Sequence, residues 1–299
     1  MGSTPLPGGN VVIINPVSGP KRRGSPAERV QHAKHAFDRL GLAGDIRLTE
    51  RSNHAHELAQ EAVRSGAALV VAWGGDGTIN EVGRALAFSR TALGIVPGGS
   101  GNGLSRELKI PFDPPAALER ALLSPDRIMD AGELDGRLFF NIAGIGLDAH
   151  VAGMVAGRMH HRGLIPYLAS TAGDLFKYKP RDYIIEGDGE RFDVSALMVV
   201  IANSRQYGFN TRIAPLAALD DGLLDLVIIE HRGLFGNLRR VPSVFIGGLE
   251  KQTGVTIRKV RSLSVRSASP MTLHVDGEAL REAVDVRVRV HPGALRVRA

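Results

Sequence analysis

Residues 70–82 read VVAWGGDGTINEV, an apolar run that turns at once into glycines, an aspartate and the start of a helix. Residues 69–73 have the length and composition of a buried strand. Gly74, Gly75 and Gly77 then carry no side chain that would hold backbone amides away from a ligand. Thr78 or Asn80 is a candidate first residue of the following helix, whose unpaired N–H groups and positive dipole end favour an anion. Asp76 adds a carboxylate suited to magnesium or a hydroxyl. A tight strand-to-helix turn would explain the glycines alone, but an Asp inside the turn followed by Thr and Asn favours a phosphate site.

Working outward, residues 11–14 form a short β-branched strand ending in Asn15-Pro16-Val17-Ser18-Gly19, a turn whose residues fix φ or hydrogen-bond backbone. Lys21, Arg22 and Arg23 follow. Ser25-Pro26-Ala27-Glu28 reads as a capping box, and Val30, Ala33, Phe37 and Leu40 line one face of the helix it starts. A strand at 46–49, a helix at 53–65, the glycine turn with its helix to about 88, and a strand at 93–96 come next. Pro97-Gly98-Gly99-Ser100-Gly101-Asn102-Gly103 is a second glycine-rich strand-to-helix turn. Alternating strands and helices predict a doubly wound parallel sheet, in which ligands bind beyond the carboxyl ends of the strands. The loops after Ile14, Thr49, Trp73 and Val96 therefore share one rim.

Near Asp126 the pattern changes. Asp135-Gly136 and Gly187-Asp188-Gly189 are hairpin-type turns, and residues 183–186, 195–202, 223–229, 255–260, 263–266, 271–275 and 284–290 read as strands. In the last, Val284, Val286, Val288 and Val290 are expected inward and Arg287 and Arg289 outward. A stretch from 148 to 179 looks helical, broken at Gly163 and Pro166. The fold class is thus α/β: a parallel-sheet nucleotide domain over 1–128, then a β-rich, antiparallel, sandwich-like domain over 129–299.

Composition narrows the chemistry. With 43% hydrophobic residues in 299, the chain can bury a substantial core, and with no cysteine it has neither disulfides nor thiolate metal sites. A net charge of +6 and a pI near 9.9 favour acidic partners. Only 5% of residues are aromatic and no basic segment interleaves them, which argues against nucleic acid. The N-terminus lacks a signal core and the myristoylation pattern, and no apolar run approaches about 18 residues, so a cytoplasmic protein with at most peripheral membrane contact is expected. The sequence has no Walker A, HRD or DFG segment, and the first strand is not followed by GxGxxG. In GGSGN, Asn102 stands where a nucleophile elbow needs glycine.

Six segments in order, NPVSG (15–19), GGDGTINEV (74–82), PGGSGNG (97–103), FFNIAGIGLDAHV (139–151), DDGLLDL (220–226) and HVDGE (274–278), resemble the diacylglycerol kinase catalytic family, which includes bacterial soluble lipid kinases and the sphingosine and ceramide kinases. The resemblance spans nearly the whole chain and implies an ATP-dependent lipid kinase. It places ATP against Asn15, Thr49, Gly74, Gly75, Asp76, Gly77, Thr78, Ile79, Asn80 and Ser100, with Asp76 also among the catalytic groups. It makes Asp276 the general base for a lipid hydroxyl, with Glu278 close to the nucleotide and Asp148 facing substrate. Without it, Asp276-Gly277 reads as a type I′ hairpin turn and Asp148 equally as a helix N-cap. It implies Mg²⁺ with the ATP, and a second, structural ion on Asp221 and the carbonyls near Ala218 and Leu223.

The implied partners are a lipid substrate and an anionic membrane surface, held peripherally by residues such as Lys21, Arg22, Arg23, Arg158 and Arg162. PGGSGNG departs from the PLGTGND of bacterial diacylglycerol kinases toward the sphingosine kinase form, which leaves the lipid open. The chain ends soon after the last expected strand, leaving little for a return to the first domain, so dimerisation there, a homodimer included, does not follow from the sequence. GGDGT also marks kinases of soluble acceptors such as NAD. A nucleotide- or lipid-binding regulator without turnover is the other rival, against which Asp76 and Asp276 speak.

Overall fold

The computed structural model describes residues 8–19, 25–147, 180–208, 211–233, 243 and 248–299. The helical stretch expected over 148–179, with Asp148, Arg158 and Arg162, and the cations Lys21, Arg22 and Arg23 lie outside the described residues. The chain forms two compact units, 1–129 with 293–299, and 130–292.

The first unit runs β1 (Asn10–Ile14), α1 (Pro26–Leu40), β2 (Gly44–Leu48), α2 (His54–Arg64), β3 (Leu69–Gly74), α3 (Asp76–Leu86), β4 (Ala92–Pro97), α4 (Gly103–Glu107) and α5 (Pro114–Leu123). The four strands are parallel in the order β2-β1-β3-β4. The step from β1 to β2 runs one way across the sheet and the steps from β2 to β3 and β4 the other, so right-handed crossovers put α1 and α2 on opposite faces. Packing agrees: α1 lies against α5, and α2 against α3. With both faces covered, β3 is buried at every position, which is why its sequence is continuously apolar rather than alternating. The reversal of strand order falls between β1 and β3, where the NPVSG and GGDGT turns stand.

Two local expectations are corrected. Helix α1 buries Ala33 and Phe37 as expected, but Arg29 and Ala36 complete the buried face and Val30 and Leu40 are only half-buried. Helix α3 begins at Asp76 with Gly75 as its N-cap, not at Thr78 or Asn80.

The second unit is entered along β5 (Asp126–Leu134) and continues with β6 (Arg137–Phe139), β7 (Ile142–Gly146), β8 (Arg181–Gly187), β9 (Glu190–Ala202), β10 (Gln206–Gly208), β11 (Thr211–Arg212), β12 (Leu224–Glu230), β13 (Val255–Val260), β14 (Ser262–Val275) and β15 (Glu278–Arg298). Antiparallel pairing links β13-β12-β9-β7-β14-β15, with β8 bridging β9 and β14. Successive residues of β9 feed different cores. Val199 and Ile201 join a cluster with Phe139, Tyr183 and Val286, while Val200 and Ala202 join one with Ile213 and Leu249. Hairpins turn at Asp135-Gly136, Asp188-Gly189 and Asp276-Gly277, all with φ positive at both residues, as type I′ geometry demands. Val286 and Val288 are buried as expected, but Val284, beside a register shift in β14–β15, is 49% exposed.

The C-terminus corrects a larger expectation. Pro292 and Gly293 (φ 64°) redirect the chain, and Val297 and Arg298 then pair in parallel with Leu93 and Gly94 of β4. Residues 293–299 therefore complete the first unit, with Ala294, Leu295 and Val297 buried.

Candidate functional site

In-register pairing of β1, β3 and β4 brings three turns side by side at the carboxyl end of the sheet. The N–H of Asn15 donates to Trp73 O at 2.9 Å, that of Gly98 to Gly74 O at 2.7 Å, and that of Thr49 to Ile14 O at 2.9 Å. Side chains then lock the turns. Asn15 Nδ2 donates to Thr78 Oγ1 at 2.9 Å, joining NPVSG to the start of α3. Asp76 accepts the N–H of Asn102 on Oδ2 and that of Gly103 on Oδ1, both at 2.8 Å, joining the two glycine turns. Asn102 closes its own loop onto Gly99 through both ends of its amide.

The glycines serve this packing. A Cβ on Gly99 would lie 2.7 Å from Gly75 Cα, one on Gly98 2.8 Å from Ser18 Oγ, and one on Gly74 2.5 Å from the Thr78 side chain. Gly77 differs. A Cβ there meets nothing within 4 Å, and Gly77 is not among the positive-φ residues. Among the described residues, neither packing nor backbone requires glycine at this exposed position in the first turn of α3.

That first turn carries the amides of Asp76, Gly77 and Thr78, ahead of the first intrahelical bond, from Ile79 N to Gly75 O at 3.0 Å. Ile79 is therefore corrected as a phosphate contact: its amide is used inside the helix and its side chain is 2% exposed. Asn80 is likewise buried at 1%. Ser100 is exposed at the tip of its loop, and Thr49 is 8% exposed. Asp76 acts as a clamp between loops.

Arg29 was not visible as a site residue. Its guanidinium, 3% exposed, donates from Nη1 to Asn15 O (2.9 Å) and Ser18 Oγ (3.0 Å) and from Nη2 to Ser18 O (2.8 Å). It fixes the NPVSG turn from below with a permanent positive charge. The signal was an arginine on the i, i+4, i+7, i+8 buried face of α1.

In the second unit, Asp276 is the first residue of the β14–β15 turn. Its Oδ2 accepts the N–H of Phe140 at 2.9 Å, and its Oδ1 those of Asn141 at 2.9 Å and Ile142 at 3.0 Å. Asn203, fully buried, donates to Phe140 O and Asp130 O and so supports the same segment. Three backbone donors fix the orientation of the carboxylate. Glu278 is paired with Arg137 at 2.9 Å, both in this unit.

The metal set expected at Ala218, Asp221 and Leu223 does not fit a divalent ion. Asp221 Oδ1 accepts the N–H of Leu223 at 3.1 Å, and Oδ2 accepts from the Lys259 ammonium at 2.7 Å. The ammonium thus takes one oxygen of the expected set, and a divalent ion on that oxygen would face it at close range. Burial holds the Asp225 carboxyl above the usual carboxylate range, opposed by Lys259. For Lys259 burial works against the charge, but Asp221 and Asp225 outweigh it and its pKa is raised. Among the described residues no group of three or more His, Cys, Asp or Glu could hold a metal ion.

Known proteins place this arrangement. Residues 10–134 match the diacylglycerol kinase catalytic domain, and residues 141–299 the YegS C-terminal NAD kinase beta sandwich-like domain. The chain belongs to the diacylglycerol kinase catalytic family. A Pseudomonas aeruginosa protein named probable lipid kinase YegS-like is 33% identical over 90% of this chain and 89% of its own. A Bacillus subtilis diacylglycerol kinase is 28% identical over 89% and 88%. A crystal structure of a diacylglycerol kinase from Bacillus anthracis superposes with a TM-score of 0.75 at 20% identity, covering 97% of this chain and 96% of that one, a likeness of fold. Kinase-family membership makes the chain a phosphotransferase. No described helix is long and apolar enough to cross a membrane.

Proposed function

We propose that this diacylglycerol kinase family member transfers the γ-phosphoryl group of MgATP to a hydroxyl of a diacylglycerol-like or sphingoid lipid. The observation that carries the reading is the loop cluster of the first unit, with amides ahead of the first α3 hydrogen bond and an unfilled space over Gly77. The amides of Gly77 and Thr78, with the Asn15 side chain and Ser100, receive the triphosphate. Arg29 keeps the NPVSG turn in place under it. Magnesium enters as part of the nucleotide substrate and neutralises phosphate charge.

Asp276 is the base. Its carboxylate, fixed by three N–H donors, orients the acceptor hydroxyl and takes its proton as the new P–O bond forms and the bond to ADP breaks. The relatives' names, lipid kinase and diacylglycerol kinase, favour a lipid acceptor over NAD. Work at a lipid surface makes the enzyme a peripheral, cytoplasmic one, drawn to anionic membrane by its net charge of +6. Incubation with labelled MgATP and a lipid panel, with NAD as a separate arm, tests the assignment. Label in a lipid supports it, label only in NAD replaces it with a soluble acceptor, and label in neither reduces the protein to a binding role.

A further inference from the structure

We propose that the Lys259 ammonium is the resident cation of the 216–225 loop, so that this protein holds the loop in place without a divalent ion. Lys259 lies on β13 directly across from Asp225 of β12. Its Nζ reaches Asp221 Oδ2 at 2.7 Å, Asp225 Oδ2 at 3.2 Å and Leu216 O at 3.4 Å. An ammonium has three N–H donors, and here three oxygens receive them, from Leu216 and Asp221 in the loop and Asp225 at the start of β12. Two carboxylates and a carbonyl are also the oxygen set that a hard divalent cation would take.

The chain needs a cation at this place. The Asp225 side chain is 2% exposed and shares its surroundings with Asp221, so two negative charges would otherwise stand together with little water. The other side of the loop is already pinned: Asp130 Oδ2 accepts the N–H of Gly222 at 2.7 Å, and the Asp130 N–H donates to Leu219 O at 2.6 Å. Lys259 closes the remaining side from a strand, and chelators cannot remove it.

The test is thermal unfolding of the nucleotide-free protein in EDTA and in excess Mg²⁺ or Ca²⁺ at matched ionic strength. The wild type should melt at the same temperature in all three. Lys259→Met should melt several degrees lower in EDTA and recover part of the loss with Mg²⁺ or Ca²⁺, and adding Asp221→Asn should abolish the recovery. A wild-type melting temperature that rises with divalent ion and stops rising in Asp221→Asn would overturn the proposal. So would a Lys259→Met protein that melts like wild type in EDTA. If Lys259→Met does not fold, the wild-type and Asp221→Asn comparison decides alone.

Discussion

The Asp76 carboxylate lies 2.8 Å from the backbone N–H of Asn102, a contact 26 residues apart in sequence that ties the GGDGT turn to PGGSGNG. With the matching bond to Gly103 N, it gives one acidic side chain control over two glycine-rich loops. Asp76→Asn replaces one acceptor oxygen by NH₂ and sets it against an N–H donor. The variant should lose about 1–3 kcal/mol of stability in urea unfolding and bind MgATP more weakly by calorimetry. Unchanged nucleotide affinity would show that the clamp does not shape the phosphate site.

Gly77 offers the opposite combination. A methyl group there meets no atom of the described residues within 4 Å, and alanine favours a helix over glycine by up to about 1 kcal/mol. Gly77→Ala should therefore be as stable as the wild type or more so, yet bind MgATP less tightly. A variant that is stable and binds nucleotide normally would remove the reason for reading the open space as a ligand site.

Glu133 sets an acid limit in the second unit. Burial raises its pKa, but hydrogen bonds from Arg289 (3.0 Å) and His291 (2.7 Å) outweigh burial, and the net direction is downward. A carboxyl depressed in the folded state adds stability above its unfolded pKa, about 4.3, and loses it as pH falls through the folded value. Urea unfolding over that range should show Glu133→Gln less stable than wild type at neutral pH and the two converging in acid. A constant gap across the range would contradict the linkage.

How much could be read in advance follows local chemistry. The strand-to-helix alternation predicted the doubly wound unit, and Asp-Gly pairs predicted three hairpin turns, because both signals lie within a few consecutive residues. The return of residues 293–299 was missed although Pro292-Gly293 and buried Leu295 and Val297 carried a hint, since pairing with β4 is a contact about 200 residues away in sequence. Arg29, Lys259 and the donors to Asp276 were equally hidden: each role exists only once distant backbone or side-chain oxygens and N–H groups are assembled. The glycines of the two strand-to-helix turns read in sequence as clearing amides for a ligand; in the structure Gly74, Gly75, Gly98, Gly99 and Gly101 stand close against neighbouring residues of the same loop cluster, while Gly77 does not.

The most direct measurement is transfer of label from MgATP into extractable lipid by wild type and Asp276→Asn, with unfolding and MgATP binding measured on both. Asparagine puts NH₂ among backbone N–H donors and so costs some stability, which is why the fold must be followed alongside. The account predicts lipid labelling by the wild type and a loss of about 10²-fold or more in turnover for a variant that stays folded and binds MgATP. A folded Asp276→Asn enzyme that labels lipid at the wild-type rate would contradict it.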